Sequence, residues 1–380
     1  MVTYLDHAAT TPMRPECTAA MLPLLGGRWG NPSGGHSLAR AARQAIEEAR
    51  DVVAECLGAR PGEVIFTGGG TESDNLAVTG VLGGQGGLPV CTAVEHHAVL
   101  RPLEALGGRV VGVHGDGRVD LEALDAALDS QVGVVSVMLV NNEVGTVQPL
   151  AEVAALVRER APGAVVHTDA VQAFPWLDVA ELARPAHLVA VSAHKFGGPQ
   201  GVGALVVRDG VVLEPLLRGG GQERDRRSGT HNVAGIVGMA AAMRATVDQR
   251  AGTVERVGRL RDRLADGLLA AVPGCTESGT RPTKVAGMCS LLIDGIESEA
   301  LLVLLDRAGI CATAASSCAS GAMGPSHVLA AMGVPRALAY GSLRLSLGWN
   351  TTAADVDHAL EVVPGAVAQL RERSAAPTLR

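Results

Sequence analysis

Over about 200 residues the chain alternates short apolar runs with helical stretches, and this alternation constrains its fold more than any other feature. Apolar runs at 64–67, 90–94, 109–113, 133–140, 165–168, 188–191 and 202–207 read as strands. The stretch 42–57 before the first run, 98–106, 121–128 and 150–160 between the runs, and 233–247 after the last carry apolar residues at spacings of three and four, and all five read as helices. A further helix is expected from near Leu76. Parallel strands joined by helices need both faces of their sheet covered, so an α/β fold with a mostly parallel sheet is expected. After residue 250 the pattern changes. Val254, Val257, Leu260, Leu264 and Leu268 form one helical face, followed by shorter strands at 288–293 and 342–347 around helices at 299–308 and 326–332. The expected division is a large domain over 15–250 and a smaller α+β domain formed by 1–14 with 251–380. Aromatic residues are only 2% of the chain, so both cores must be built from Ala, Val and Leu.

The most informative single residue is Lys195, in Ser192-Ala-His-Lys-Phe-Gly-Gly-Pro199. Of 32 Lys and Arg residues only Lys195 and Lys284 are lysine. Arginine cannot stand in where a neutral amine must attack a carbonyl, because guanidinium stays protonated. A lysine in a loop between two strands is therefore a candidate Schiff-base residue for pyridoxal phosphate; the alternative is a solvated surface lysine. Asp169 stands at the end of the 165–168 strand, about one strand–helix–strand step earlier. It is a solvated loop residue, an N-cap or the partner of a protonated pyridine nitrogen. Gly68-Gly-Gly-Thr-Glu-Ser joins a strand to a helix and is either a tight turn or a phosphate cradle, with Thr71 adding a donor. His96 or His97, past another strand end, is either a structural histidine or one that stacks on an aromatic cofactor. The pair Asn141-Asn142 follows a third, where an Asn can bond a ring oxygen or a substrate carboxylate. Arg344, in an alternating apolar strand, needs an anionic partner: a substrate carboxylate or a structural salt bridge.

Composition narrows the function further. A net charge of −7 and an isoelectric point near 5.9 argue against a nucleic-acid-binding surface. The start lacks a basic and apolar leader, and no apolar run reaches the length of a membrane span, so a soluble cytoplasmic protein is expected. Seven scattered cysteines without a C-x-x-C pair suggest free thiols rather than disulfides or a zinc site, and no metal is expected. Six lie in or beside apolar patterns. Cys318 alone lies among Ser, Ala and Gly, in the small-residue loop 312–325, as an exposed reactive thiol would.

In this order the motifs are specific. Asp6–Pro12, Gly30–Ser33, Phe66–Asn75, Glu95–Val99, Asn141–Gly145, His167–Gln172, Ser192–Gly203, Gly219–Thr230 and Cys318–Gly348 together resemble the cysteine desulfurases, end to end. The resemblance implies a pyridoxal 5'-phosphate enzyme of fold type I, with a large domain and a smaller α+β C-terminal domain. It implies that Lys195 holds the cofactor aldehyde and moves protons, His96 stacks on the ring, Asp169 pairs with its nitrogen and Gln172 contacts its hydroxyl. Gly70, Thr71, Ser192 and His194 hold the phosphate, joined by Thr230 from a partner subunit of a homodimer. Asn31, Asn142 and Arg344 bind the substrate side, Asn142 also reaching the cofactor. Cys318 takes sulfur from L-cysteine as a persulfide, leaving alanine, and passes it to an acceptor such as an iron–sulfur scaffold or a tRNA-thiolation enzyme. The related alternative is a selenocysteine lyase or another C–S lyase of the same fold. Two positions depart from the family's common pattern: Gly324, where Glu is frequent, and His97, where Lys is common.

Overall fold

Valine carries the central sheet. Its seven strands lie in the order Val64–Thr67, Gly203–Val207, Leu188–Ser192, Val165–Asp169, Val132–Ser136, Leu88–Thr92, Arg109–Val111. Gly203–Val207 is antiparallel to both neighbours; the remaining adjacent pairs are parallel. The computed structural model describes residues 2–314 and 326–375. Five-residue strands such as Leu188–Ser192 are buried throughout, as expected of a sheet covered on both faces. One face packs on the helix Gly70–Gln85 through Leu76, Val78 and Val81. The other packs on Ser37–Cys56, Leu150–Arg160 and the start of Val233–Ala271, through Ile46, Val53, Val153 and Met239.

A further core lies under an antiparallel sheet with Met288–Ile293 between Ser342–Ser346 and Cys275–Glu277. Leu5, Leu264, Leu268, Leu301, Val356 and Val363 fill it, and the short strand Thr3–Tyr4 pairs with Ile310–Cys311 beside it. The strands and most helices match the sequence reading to within a few residues. Two helical stretches on either side of residue 250 are in fact one helix, Val233–Ala271. Its polar middle needs no continuous apolar face, because Gln249 bonds Arg14 and Arg250 lies over the Phe174 ring. The helix expected near Leu76 starts at Gly70, its polar first turn having been read as loop. Pro15–Leu25 and Ala353–Ala375 escaped the reading, each carrying an internal proline. Among the described residues no helix is long and apolar enough to cross a membrane.

Candidate active site

The parallel strands deliver their carboxyl ends to one edge, where ligands of open α/β sheets bind. Val64–Thr67 leads through Gly69, whose φ of 148° favours glycine, into the helix starting at Gly70. Leu188–Ser192 leads through a single turn, Ala193–Lys195, and doubles back into Gly203–Val207. A cavity of about 310 Å³ opens at this edge, lined among others by Lys195, Asp169, His96, Asn142, Gln172 and Arg344. A wider cleft of about 690 Å³ shares its Gly70, Thr71, Ser192 and His194 walls.

Lys195 Nζ donates to the carbonyls of Ala8 (2.6 Å) and Ala9 (2.8 Å), and Gln172 Nε2 donates to the same Ala8 carbonyl at 2.6 Å. The N-terminal turn, legible in sequence only as a polar turn, thus positions the lysine. Asp169 is buried, with Oδ1 accepting from the Val171 amide at 2.8 Å. Burial lifts its carboxyl to about 6, against that amide and the Lys195 charge, which both pull it down. His96 caps the helix His97–Ala105, its Nδ1 accepting from the Ala98 amide at 3.1 Å. Burial, then the Lys195 charge, hold its ring down to about 4, so it is a neutral imidazole at physiological pH. His194 is likewise lowered to about 4, by burial and then by Lys195, with Nδ1 3.1 Å from Thr10 Oγ1.

Arg344 is 2% exposed and resolves its two readings in part. Nη2 donates to Asp6 at 3.0 Å and Nη1 to the Asn142 carbonyl at 2.9 Å, so a structural ion pair exists. Nε has no hydrogen-bond partner among the described residues, and the side chain lines the cavity. Asn31 and Thr230 are exposed and lie outside the linings of both spaces within one protomer. Cys318 lies outside the described residues. Sequence reasoning missed the buried acids Asp74, Glu95 and Glu143. Each sits in a polar stretch that reads as loop or helix entry, and only packing reveals its burial.

The donor set fits pyridoxal phosphate. Free amides at the start of the Gly70–Gln85 helix, with the Ser192 and His194 side chains, suit a dianion. A Cβ on Gly70 would stand 2.9 Å from Val171 Cγ2 and 3.4 Å from Ser192 Cβ, so glycine keeps this cradle open. A buried carboxyl at the far end suits a protonated ring nitrogen, and the lysine amine lies in the same cavity.

Comparison with known proteins agrees with this geometry. The class-V aminotransferase family model matches residues 3–359. The chain is 48% identical to an IscS-like cysteine desulfurase of Mycobacterium tuberculosis, over 98% of both chains. It is 45% identical to a cysteine desulfurase of Cereibacter sphaeroides, over 98% of this chain and 97% of that one. A solved NifS-like protein superposes with a TM-score of 0.91 at 34% identity, covering 97% of this chain and all (100%) of the other. The apo cysteine desulfurase of Thermococcus onnurineus NA1 superposes with a TM-score of 0.85 at 26% identity, over 97% and 95% of the two chains.

Proposed function

The chain belongs to the class-V aminotransferase family and is a pyridoxal-phosphate-dependent cysteine desulfurase, and on that premise we propose how its residues divide the reaction. The observation that carries the assignment is the single cavity of about 310 Å³ lined by Lys195, Asp169, His96, Asn142 and Arg344. When bound, the cofactor supplies an aldehyde for the substrate amine and a protonated ring that accepts the electron pair left by the α-proton. Gly70, Thr71, Ser192 and His194 hold its phosphate, and Gln172 faces its hydroxyl. Asp169 keeps the ring nitrogen protonated, since a cation beside a buried carboxylate favours its ionised form. His96, neutral, stacks on the ring. Lys195 is oriented by the Ala8 and Ala9 carbonyls and, as free amine, removes the α-proton. Arg344 and Asn142 orient the substrate carboxylate.

Cys318 attacks the substrate sulfur as thiolate. The Cβ–S bond breaks with its electron pair left on carbon, which is protonated to give alanine, and the sulfur remains on Cys318 as a persulfide. The described ends of its loop support this role. Thr313 exchanges backbone hydrogen bonds with Arg344, and Ser326 donates to buried Glu143, beside Asn142. Cys318 follows Thr313 by five positions, and such a stretch extended reaches at most about 17 Å. Thr313 thus adjoins the cavity-lining Arg344, and Ser326 is tied to the neighbour of the cavity-lining Asn142. Thr230 and Asn31, exposed and outside the cavity lining in their own protomer, are assigned to a partner's site in a homodimer. The persulfide passes to an acceptor protein, an iron–sulfur scaffold or a tRNA-thiolation enzyme, in the cytoplasm.

The test uses holoenzyme and sulfur-labelled cysteine. Wild type should release alanine and carry label on Cys318. Cys318→Ser should keep the cofactor and bind cysteine without acquiring label, and sulfide release from it at the wild-type rate would remove Cys318 from the mechanism. Adding cell extract and identifying the protein that receives the label names the acceptor.

A further inference from the structure

Two of the buried atoms without a hydrogen-bond partner among the described residues face each other behind the cavity: Asp74 Oδ1 and His167 Nε2, 3.6 Å apart. Asp74 lines the cavity, on the helix whose first turn cradles the phosphate, and is 1% exposed. His167 is 0% exposed and lies two residues before Asp169 on one strand, so the two side chains share a face of the sheet. Its Nδ1 is 2.8 Å from Ser136 Oγ. The proposed mechanism uses neither Asp74 nor His167.

Three carboxyls, Asp74, Asp169 and Glu95, are buried close enough to act on one another's charge, and Lys195 is the cation that acts on Asp169. They cannot all ionise together in a dry site. Asp169 has the Val171 amide, and Glu95 Oε1 accepts from Thr92 Oγ1 and the Met138 amide. Among the described residues neither Asp74 Oδ1 nor Glu95 Oε2 has a donor, but Glu95 has two donors on its other oxygen. The Asp74 anion is the least supported of the three, while an unpaired imidazole nitrogen stands ready to accept its proton in a hydrogen bond. Burial, then the charges of Asp169 and Glu95, also favour its neutral form, and burial favours neutral His167.

We propose that Asp74 is a positioning residue for Asp169: its carboxyl stays protonated and donates to His167 Nε2, leaving Asp169 the sole anion at the ring-nitrogen end of the cavity. His167 Nδ1–H then donates to Ser136. The proposal rests on the cofactor reading above and adds a pair of residues to it. Without this pairing, the Asp74 O–H would turn to Asp169 and compete with the ring for its lone pairs.

Four variants test it, read by pyridoxal phosphate binding and by infrared spectroscopy of the apoprotein. Asp74→Asn keeps an uncharged donor and should bind the cofactor within about threefold of wild type, while removing one protonated-carboxylic-acid band. His167→Phe strands the acid and should weaken binding roughly tenfold. Asp74→Leu with His167→Phe removes the competitor and should restore binding to within about threefold of wild type. A purely structural role predicts the opposite, a double variant no better than His167→Phe. The proposal is overturned if Asp74→Asn loses no acid band, or weakens binding as much as Asp169→Asn. The infrared result needs no cofactor, so it stands even if the wild type proves unable to bind pyridoxal phosphate, which would refute the functional reading alone.

Discussion

Replacing Glu223 by Gln should destabilise the fold, and the structure sets the size of the effect. Glu223 belongs to the glycine-rich segment 219–230, its side chain 1% exposed against 4% for Arg50. It accepts two hydrogen bonds of 2.8 Å from Arg50, one of 2.7 Å from His231 and one of 2.8 Å from the Phe66 amide. Burial pushes the carboxyl up, but the Arg50 and His231 hydrogen bonds, the Arg50 charge and that amide outweigh it and bring it from 4.5 down to about 2. Such a lowering is worth roughly 3 kcal/mol of stability at neutral pH. Stranding one partner of a buried ion pair costs about 3–5 kcal/mol, so a loss of about 3 kcal/mol is expected in Glu223→Gln. Because the folded value is depressed, this stability is complete above the unfolded value of 4.5 and disappears as pH falls through about 2. Urea unfolding at fixed protein concentration, at pH 7 and across the acid range, should show the variant both weaker and less acid-sensitive. Arg50→Met with Glu223→Leu should recover at least half the loss. The anchor also holds Glu223, Arg224 and Asp225 at φ of 50°, 58° and 62°, left-handed values that cost roughly 1–2 kcal/mol each outside glycine. A loss under about 1 kcal/mol at pH 7, or an unchanged acid profile, would refute the reasoning.

Asp169→Asn should stabilise the apoprotein above pH 6 while weakening cofactor binding tenfold or more. Burial raises the Asp169 carboxyl, so its favourable neutral form is lost as pH rises from 3.8 through about 6, a loss the amide does not suffer. Denaturation of both apoproteins at pH 5 and pH 8 checks the sign. Gly70→Val should retain the fold and weaken cofactor binding roughly tenfold, since its side chain crowds Val171 and Ser192; wild-type affinity in equilibrium dialysis would refute the cradle. Lys195→Ala should leave no borohydride-stable cofactor adduct and lower desulfurase activity by roughly 10³-fold or more.

The sheet was legible because its strands are nearly uninterrupted apolar runs, and a five-residue run of Val, Leu and Ala bounded by loops has few other ways to fold. Pro15–Leu25 was not legible because Pro23 breaks its pattern, and Val233–Ala271 was split because its middle residues bond across to Arg14 and Phe174 rather than bury an apolar stripe. Lys195 and Asp169, both read as strand-end residues because the proposed chemistry demands one residue type at each, do line one cavity. The electrostatic setting was not, because it is made by contacts between distant segments: Arg50 with Glu223, Arg344 with Asp6, His167 with Asp74.

Lys284 shows why rarity alone does not identify a catalytic amine. It is the chain's other lysine, as exceptional by count as Lys195. Its side chain is 0% exposed, and its ammonium stands 3.0 Å from Glu277 Oε1, which the Arg281 guanidinium also flanks. A Cβ on Gly279 would meet Lys284 Cε at 3.0 Å, so the slot is narrow and suits a slim alkyl stem ending in a point charge better than a planar fork. Scarcity of lysine therefore marks a place where arginine fails, for one of two reasons: the amine must give up its proton, or the space excludes a guanidinium. Lys195 ends a turn between two buried strands, with its amine donating to the Ala8 and Ala9 carbonyls at the wall of a cavity. Lys284 is locked by an ion pair in a closed slot. The difference that supports the chemical role proposed for the first and a structural role for the second is the setting of each amine, at the wall of an open cavity or in a narrow slot beside Glu277.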